Sequence, residues 1–279
     1  MEKMIPERLS TLGHPQRLAV FRLLMRRYPD RVPASEIARA LGLKPNTLSN
    51  YLSALLQVGL VSQERAGTSL RYGVEMAAVR GTIDYLLLDC CRGRPEICAP
   101  ASYAASDKTD RDRKFNVLFI CTGNSARSIF AEAILRDEAG DRFNVYSAGT
   151  RARSELNPVA LQVLKLNGHD ISDLRAKTIA EFQAPDAPDF DFVFTVCDQA
   201  ANEDCPAWPG QPISAHWGVP DPVGADGTQA QKILSFQTAY DAIRNRILTF
   251  SSLPFETLDR ISLQKAVDDI GQIHTGETT

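Results

Sequence analysis

The chain has 279 residues, of which 44% are hydrophobic, and a formal net charge of −3. This length suffices for two domains, and the composition is that of a globular chain rather than a disordered one. The sequence contains no run of about 18 apolar residues and no signal-peptide pattern. These absences argue against a membrane partner and predict a cytoplasmic protein.

Charge is distributed unevenly along the chain. Residues 1–98 contain 14 Lys and Arg against 9 Asp and Glu, a net charge of +5, whereas the remainder contains 17 against 25, a net charge of −8. A basic half joined to an acidic half indicates that only the first binds nucleic acid. We predict a DNA-binding and dimerisation domain at 1–98, a linker at 99–113 that is rich in Ala, Ser and charge, a second domain at 114–252, and a C-terminal helix and tail at 253–279.

Hydrophobic periodicity predicts three helices at the start of the basic half. The first covers residues 7–28, with a break indicated near His14, which we interpret as a structural residue rather than a ligand. The second, 36–41, is capped by Ser35, and the third covers 46–58. Two short helices around a glycine turn form a helix-turn-helix, whose second helix enters the major groove. Its outward residues are candidate base contacts or else a solvated polar face: Asn46, Thr47, Ser49 and Asn50.

A β-hairpin is predicted over residues 60–74, because apolar and polar residues alternate on both sides of a turn at 66–68. Arg65 and Arg71 lie near its tip, and a last helix is predicted over 76–91. With this wing behind them, the strings LGHPQRLAVFRLL and LKPNTLSNYLSALLQVGLV resemble the winged-helix repressors of the arsenical-resistance (ArsR) family. The resemblance implies double-stranded operator DNA as a partner and a homodimer formed by the first and last helices, with the following candidate interface residues in the last: Val79, Ile83, Leu86 and Leu87.

The acidic half begins with an apolar run that ends at the string CTGNSARS, residues 121–128, before a helical pattern. A strand that leads into a helix through such a loop directs backbone N–H groups and the positive helix end at one point, which suits a tetrahedral oxyanion. Cys121 is the candidate nucleophile, and we expect those N–H groups to lower its pKa. Arg127 can bind two oxyanion oxygens. The alternative for Cys121 is a small buried hydrophobe. The residues between the two form the oxyanion loop: Thr122, Gly123, Asn124, Ser125 and Ala126.

Strand and helix patterns alternate through the second domain, which predicts an α/β fold with a small four-stranded parallel sheet flanked by helices. The predicted strands cover 115–120, 143–148, 191–196 and 213–215. The predicted helices cover 125–139, 157–167, 229–250 and 255–270, the last ended by Gly271. The fold class is therefore two domains, an α+β winged helix-turn-helix followed by an α/β domain.

CTGNSARS resembles the phosphate-binding loop of the low-molecular-weight protein tyrosine phosphatases. It is more similar still to their relatives, the arsenate reductases that depend on thioredoxin-type reductants. The likeness covers residues 115–250. It implies that Asp221, which precedes a proline, is the general acid for the leaving oxygen, although Asp-Pro is otherwise a common turn. It also implies that Ser128 hydrogen-bonds the Cys121 thiolate.

Some relatives hold a monovalent cation behind this loop. The matching positions are Asn124, Glu132, Ser147 and Lys177, and Lys177 stands where those relatives have an acidic ligand. The resemblance therefore predicts that the ammonium group replaces the ion, so that potassium is not required. No tightly bound cofactor is expected.

Two further cysteines distinguish a reductase from a phosphatase. Cys197 ends an apolar run, and seven residues separate it from Cys205. They could be unrelated buried residues or half of a zinc site, but no nearby Cys or His pair completes that site at usual spacing. The phosphatase relatives lack this pair, so the resemblance implies a Cys121–Cys197–Cys205 thiol relay that an external thioredoxin-type dithiol reduces. Ala126 stands where some relatives have another loop cysteine, which this relay does not require.

Three cysteines of the first half are candidate arsenite ligands: Cys90, Cys91 and Cys98. Some repressors of the resembled family use a similar cluster, although here one thiol could simply pack in a dimer interface while Cys98 is idle. The full hypothesis is an arsenic-responsive repressor fused to an arsenate reductase that makes the repressor's own inducer, arsenite. The alternatives are a tyrosine phosphatase fused to a regulator, and a repressor whose second half only binds an oxyanion.

Overall fold

The computed structural model describes residues 4–90, 113–203 and 208–273. Contacts divide the chain into two compact units, Met1–Asp110 and Arg111–Thr279. Within the described ranges, no helix is long and apolar enough to cross a membrane. Several predictions fall outside these ranges: the linker up to residue 112, the last residues of the tail, and the thiols of Cys91, Cys98 and Cys205.

The N-terminal unit is a bundle of short helices with a small antiparallel sheet. Its helices are α1 Ile5–Leu12, α2 Pro15–Arg26, α3 Ala34–Leu41, α4 Pro45–Gln57 and α5 Met76–Tyr85. Its strands are β1 Val32–Pro33, β2 Val61–Ala66 and β3 Ser69–Val74, in the order β1-β3-β2. Strands β2 and β3 form the predicted wing, with Gly67 in its turn at φ +61°. The predicted winged helix-turn-helix is thus present.

The helix predicted over residues 7–28 is interrupted and forms two helices, so the break that the sequence indicated near His14 is confirmed. His14 is the N-cap of α2, and its Nδ1 accepts a hydrogen bond from the Gln16 backbone N–H at 3.2 Å. Pro15 follows as the first helical residue, where a missing N–H costs nothing. The predicted Ser35 cap is wrong, however, since Pro33 occupies the N-cap of α3 and makes no side-chain cap.

One face of α4 builds the core of this unit. Leu48, Leu52 and Leu55 are buried at helical spacing and belong to the same cluster as Leu23 and Leu24 of α2. Burying each such leucine stabilises the fold by about 2 kcal/mol. The opposite face of α4 therefore remains on the surface of the unit.

The last helix of this unit is less regular than predicted. The sequence predicts one helix over residues 76–91, but α5 ends at Tyr85 and Leu86–Cys90 form a turn of π-helix. Ile83 is 49% exposed, whereas Val79 packs against the core. Of the predicted interface residues, Val79 therefore contributes to the core of its own unit.

The C-terminal unit contains the predicted four-stranded parallel sheet. Its strands are β4 Phe115–Cys121, β5 Phe143–Gly149, β6 Phe192–Thr195 and β7 Ile213–His216, in the order β5-β4-β6-β7. The flanking helices are α6 Arg127–Ala139, α7 Pro158–Leu166, α8 Asp198–Asn202, α9 Gln229–Ser251 and α10 Arg260–Gly271. Helices α6 and α9 pack together, and α6 also packs on β4 and β5. Strand β4 is central, with residues 117–120 fully buried. Such continuous apolar runs are typical of parallel strands covered on both faces.

Helix α10 covers β7, the strand at one edge of the sheet. The helix begins at Arg260 behind the N-cap Asp259, five residues later than predicted. Its backbone accepts a hydrogen bond at Val267 from Trp217 Nε1 at 2.9 Å. Gly271 is its last residue, and a Cβ there would lie 2.5 Å from the His216 carbonyl oxygen. The predicted end of the helix at Gly271 is therefore confirmed, and the glycine also permits close docking of the helix, which shields an otherwise exposed strand edge.

Candidate active site

The candidate site lies at the carboxyl ends of β4 and β6, where parallel sheets bind ligands. Ile120 pairs with Thr195, so that Cys121 and Cys197 follow on neighbouring strands. The cleft has a volume of about 150 Å³, below the range of drug-sized pockets and suited to a small anion. It is lined by Cys121, Thr122, Gly123, Ser125, Ala126, Arg127, Arg151, Arg153, Gln199, Asp221 and Val223.

The backbone of the oxyanion loop is held from its outer side by the segment that follows β5. The carbonyl oxygens of Cys121, Thr122, Gly123 and Ser125 accept hydrogen bonds of 2.9–3.0 Å from the N–H groups of Thr150, Arg151, Arg153 and Asn157. Carbonyl oxygens that are engaged in this way do not face the cleft, so an anion there meets N–H groups instead. Asn124 adopts a left-handed conformation, at φ +43°, which makes the tight loop possible.

Cys121 is buried at the base of the cleft, with 3% of its surface exposed. Its Sγ accepts a hydrogen bond from the Asn124 backbone N–H at 3.1 Å and lies 2.9 Å from Ser128 Oγ. Burial raises the pKa of the Cys121 thiol, and proximity to Cys197 raises it further, against the lowering effects of Ser128 and Arg127. The expectation of a lowered pKa is therefore wrong, because desolvation of the thiolate outweighs the groups that stabilise it.

Arg127 and Asp221 meet at the mouth of the cleft. Arg127 Nη2 lies 3.2 Å from Asp221 Oδ1, and its Nη1 donates to the Val219 carbonyl at 3.0 Å. Asp221 is about half exposed and also accepts a hydrogen bond from the Val223 N–H, so the Asp-Pro pair forms a turn as well. The structure thus places both predicted side chains beside Cys121, within reach of one small anion.

A buried polar network supports the loop from below. Asn124 donates to Ser128 Oγ at 2.9 Å and to Ser147 Oγ at 2.8 Å, while its Oδ1 accepts from the Lys177 backbone N–H at 2.6 Å. Lys177 Nζ lies 3.0 and 2.8 Å from the two carboxylate oxygens of Glu132, which also accepts from Ser147. All five side chains are buried. The Lys177 ammonium thus pairs with Glu132 among the four matched positions, and its replacement of a cation stays a prediction.

Cys197 lies beside the loop at the start of α8. It is the N-cap of that helix, where its Sγ accepts a hydrogen bond from the Ala200 N–H at 3.4 Å. The Thr122 hydroxyl lies 3.5 Å from the same sulfur. Thr122 thus connects the oxyanion loop to the second thiol. Cys205 lies outside the residues that the structure describes.

Comparison with known proteins agrees with this geometry. The model of the low molecular weight phosphotyrosine protein phosphatase family matches residues 116–261, just over half of the chain. The chain belongs to this family. A helix-turn-helix domain model matches residues 12–64. The family unit and the DNA-binding unit are therefore fused in one chain.

Relatives of this phosphatase-family unit are named arsenate reductases. The arsenate reductase of Halalkalibacterium halodurans is 41% identical over 135 residues, which are 48% of this chain and 94% of that protein. That of Bacillus subtilis is 40% identical over 135 residues, with the same coverage. Among solved structures, a Corynebacterium glutamicum thioredoxin-dependent arsenate reductase matches with a TM-score of 0.36 and 24% identity, over 77% of this chain and 90% of its own.

Arg151 and Arg153 also line the cleft, although no sequence pattern indicated them as site residues. They follow β5, which pairs with β4 so that Cys121 lies opposite Gly149. A Cβ at Gly149 would lie 2.8 Å from the Thr122 carbonyl oxygen, so only glycine permits this approach. Gly149, which follows the second predicted strand, was the one sequence signal of this approach. Using it required the order of the strands in the sheet, which places Gly149 opposite Cys121.

The predicted DNA-contacting residues lie on the surface of the N-terminal unit. Asn46, Ser49 and Asn50 are exposed on α4 and Thr47 is half-buried, while Arg65 and Arg71 are exposed on the wing. Cys90 is exposed at the end of the π-helical turn. Its two predicted partner thiols, Cys91 and Cys98, lie outside the described ranges.

Proposed function

We propose that this chain is a bifunctional protein, an arsenate reductase fused to an arsenic-responsive transcriptional repressor. The observation that carries the reductase activity is the pair of buried thiols at adjacent strand ends. Cys121 and Cys197 are joined through Thr122 beside a cleft of oxyanion size that also contains Arg127 and Asp221. The names of the relatives support the same activity.

The first chemical step joins sulfur to arsenic. Burial raises the pKa of the Cys121 thiol, so the proton stays on sulfur until substrate arrives. Arsenate binds as a dianion to the loop N–H groups and Arg127, and it takes this proton. The thiolate then attacks arsenic. Hydroxide leaves as water after Asp221 passes to it the proton that arsenate took from Cys121, so the Asp221 carboxylate is regenerated. The product is a covalent thiol–arsenate adduct.

The second step transfers two electrons to arsenic. The Cys197 thiolate attacks the sulfur of Cys121, and the electrons of the sulfur–arsenic bond remain on arsenic, which leaves as arsenite. A Cys121–Cys197 disulfide forms. Cys205 then attacks Cys197 and releases Cys121, and an external dithiol of the thioredoxin type reduces the Cys197–Cys205 disulfide. No tightly bound cofactor takes part in this sequence.

The repressor function rests on the helix-turn-helix domain and its surface charge. Asn50 and its neighbours on α4 would contact base edges in the major groove, while Arg65 on the wing would contact phosphates. A homodimer would read two half-sites of operator DNA. Arsenite, the product of the reductase, would bind at Cys90 together with Cys91 and Cys98 and release the DNA.

Turnover by the purified full chain tests the reductase proposal. With arsenate, thioredoxin, thioredoxin reductase and NADPH, we expect NADPH oxidation in step with arsenite release. Cys121→Ser should abolish both, and Cys197→Ser should stop after the first adduct. Hydrolysis of an aryl phosphate without arsenate reduction would instead establish a phosphatase. Binding of arsenate with neither reaction would leave an oxyanion-binding regulator.

A further inference from the structure

Arg153 packs against Gly123 of the oxyanion loop and lines the same cleft as Arg127. Its backbone N–H donates to the Gly123 carbonyl at 2.9 Å. A Cβ built on Gly123 would lie 3.6 Å from Arg153 Nε and 3.7 Å from its Cγ, so the arginine side chain packs directly over this glycine. The same side chain lines the cleft together with Cys121 and Asp221. The Arg153 cation is thus held beside the oxyanion cleft.

The three arginines that line the cleft differ in their partners. Arg127 forms an ion pair with Asp221, and Arg151 forms one with Glu203. Arg153 has no carboxylate partner among the residues that the structure describes. A cation without a counter-ion at the mouth of a small cleft favours an anion that approaches from solvent.

We propose that Arg153 is a second binding residue for the tetrahedral oxyanion, selective for its doubly charged form. This inference rests on the proposed function, because it concerns the substrate of the same cleft. The charge of Arg127 is already offset by Asp221, whereas the charge of Arg153 is offset by no carboxylate among the described residues. A second guanidinium group therefore increases the electrostatic binding energy of a dianion more than that of a monoanion.

The bulk of Arg153 also bears on the size of the substrate. Its side chain packs over Gly123 and lines the small cleft, so it leaves less room there for an aryl group attached to a phosphate. Free arsenate and phosphate have no such substituent. Arg153 is therefore expected to favour inorganic oxyanions over phosphate monoesters of bulky alcohols.

Titration of the purified full chain with inorganic phosphate tests this role without requiring turnover. Arg153→Ala should raise the dissociation constant of phosphate about fivefold at low salt, which corresponds to an exposed ion pair at the upper end of its usual strength. The effect should shrink at high salt and below neutral pH, where phosphate is a monoanion. Arg153→Lys should recover most of the affinity. Arg244→Ala removes another exposed arginine, which pairs with Glu138 outside the cleft, and should change affinity less than about twofold.

A parallel measurement of arsenate reduction separates the two proposals. Arg153→Ala should lower kcat/KM by about the same factor as the phosphate affinity, mainly through KM, with kcat nearly unchanged. Unchanged phosphate affinity and unchanged KM in Arg153→Ala would overturn the assignment, as would an equal loss in Arg244→Ala. Absence of arsenate turnover in the unaltered chain would count against the proposed function alone. Should Arg153→Ala fold poorly, Arg153→Gln gives the same test with a longer polar side chain.

Discussion

The buried ion pair beneath the oxyanion loop allows a quantitative prediction. Lys177→Met removes the ammonium group and leaves the carboxylate of Glu132 buried without its counter-charge. Because Glu132 also accepts from Ser147, which in turn accepts from Asn124, the change should disturb the loop as well as the fold. We therefore expect Lys177→Met to lower both the stability of the C-terminal unit and arsenate turnover.

The size of the stability effect follows from the geometry of the pair. The charges are 2.8 Å apart, and their side chains are 8% and 10% exposed. At an effective dielectric constant of about 20, their attraction is roughly 6 kcal/mol before the cost of desolvation. Removing one partner of such a pair costs about 3–5 kcal/mol, which corresponds to a fall of roughly 6–20 °C in the Tm of a unit of this size.

Thermal unfolding of a double-mutant cycle measures this coupling. Lys177→Met, Glu132→Gln and the double variant give the interaction energy, and Glu132→Gln in the Lys177→Met background should recover part of the loss. Arg175 and Glu181 provide a matched exposed pair, 2.7 Å apart and 62% and 39% exposed, whose coupling should be below about 1 kcal/mol. Equal coupling energies in the two cycles would refute the reasoning from burial. If added potassium restores turnover in Lys177→Met, the ammonium indeed stands in for a cation.

Three further predictions concern protonation and DNA. Ser128→Ala removes a group that lowers the pKa of the Cys121 thiol, so kcat/KM for arsenate should fall about five- to tenfold at neutral pH and recover as pH rises. A loss of kcat/KM that does not depend on pH would contradict this. Burial raises the pKa of Asp268 to about 6, above its unfolded value, so the contribution of this residue to stability is full below about pH 4 and is lost as pH rises through about 6. Asp268→Asn should therefore raise the unfolding free energy at pH 7 by about 1 kcal/mol, after solvent screening. It should also make Tm depend less on pH, whereas the exposed control Asp173→Asn should not. In DNA titrations, Asn50→Ala should reduce the preference for the operator over other sequences. Arg65→Ala should weaken binding to every sequence and lessen the salt dependence of binding. An operator preference that survives Asn50→Ala would argue against base contacts by α4.

The oxyanion loop was the feature most accessible from the sequence, because its signal is local. A buried strand, a turn with Gly123 and the helix that starts at Arg127 are contiguous, and each part predicts the next. The alternation of strands and helices behind it likewise predicted the parallel sheet. Periodicity identifies such elements because burial of one or both faces imposes it.

Features that depend on tertiary neighbours were not accessible in this way. The position of Arg153 beside the loop follows from the pairing of β5 with β4, which no local pattern encodes. The raised pKa of Cys121 follows from complete burial, whereas the sequence showed only the groups that would stabilise a thiolate. The break near His14, in contrast, was predicted, because a cap and a proline at the first helical position are local signals.

Mapping of the disulfide trapped in Cys205→Ser tests the proposed relay most directly. The full-length variant is treated with one equivalent of arsenate, without external reductant, and its peptides are analysed by mass spectrometry. We expect one arsenite released per chain and a disulfide between Cys121 and Cys197, with no bond to Cys90. Arsenite release without that disulfide, or its persistence at the normal rate in Cys197→Ser, would contradict the account.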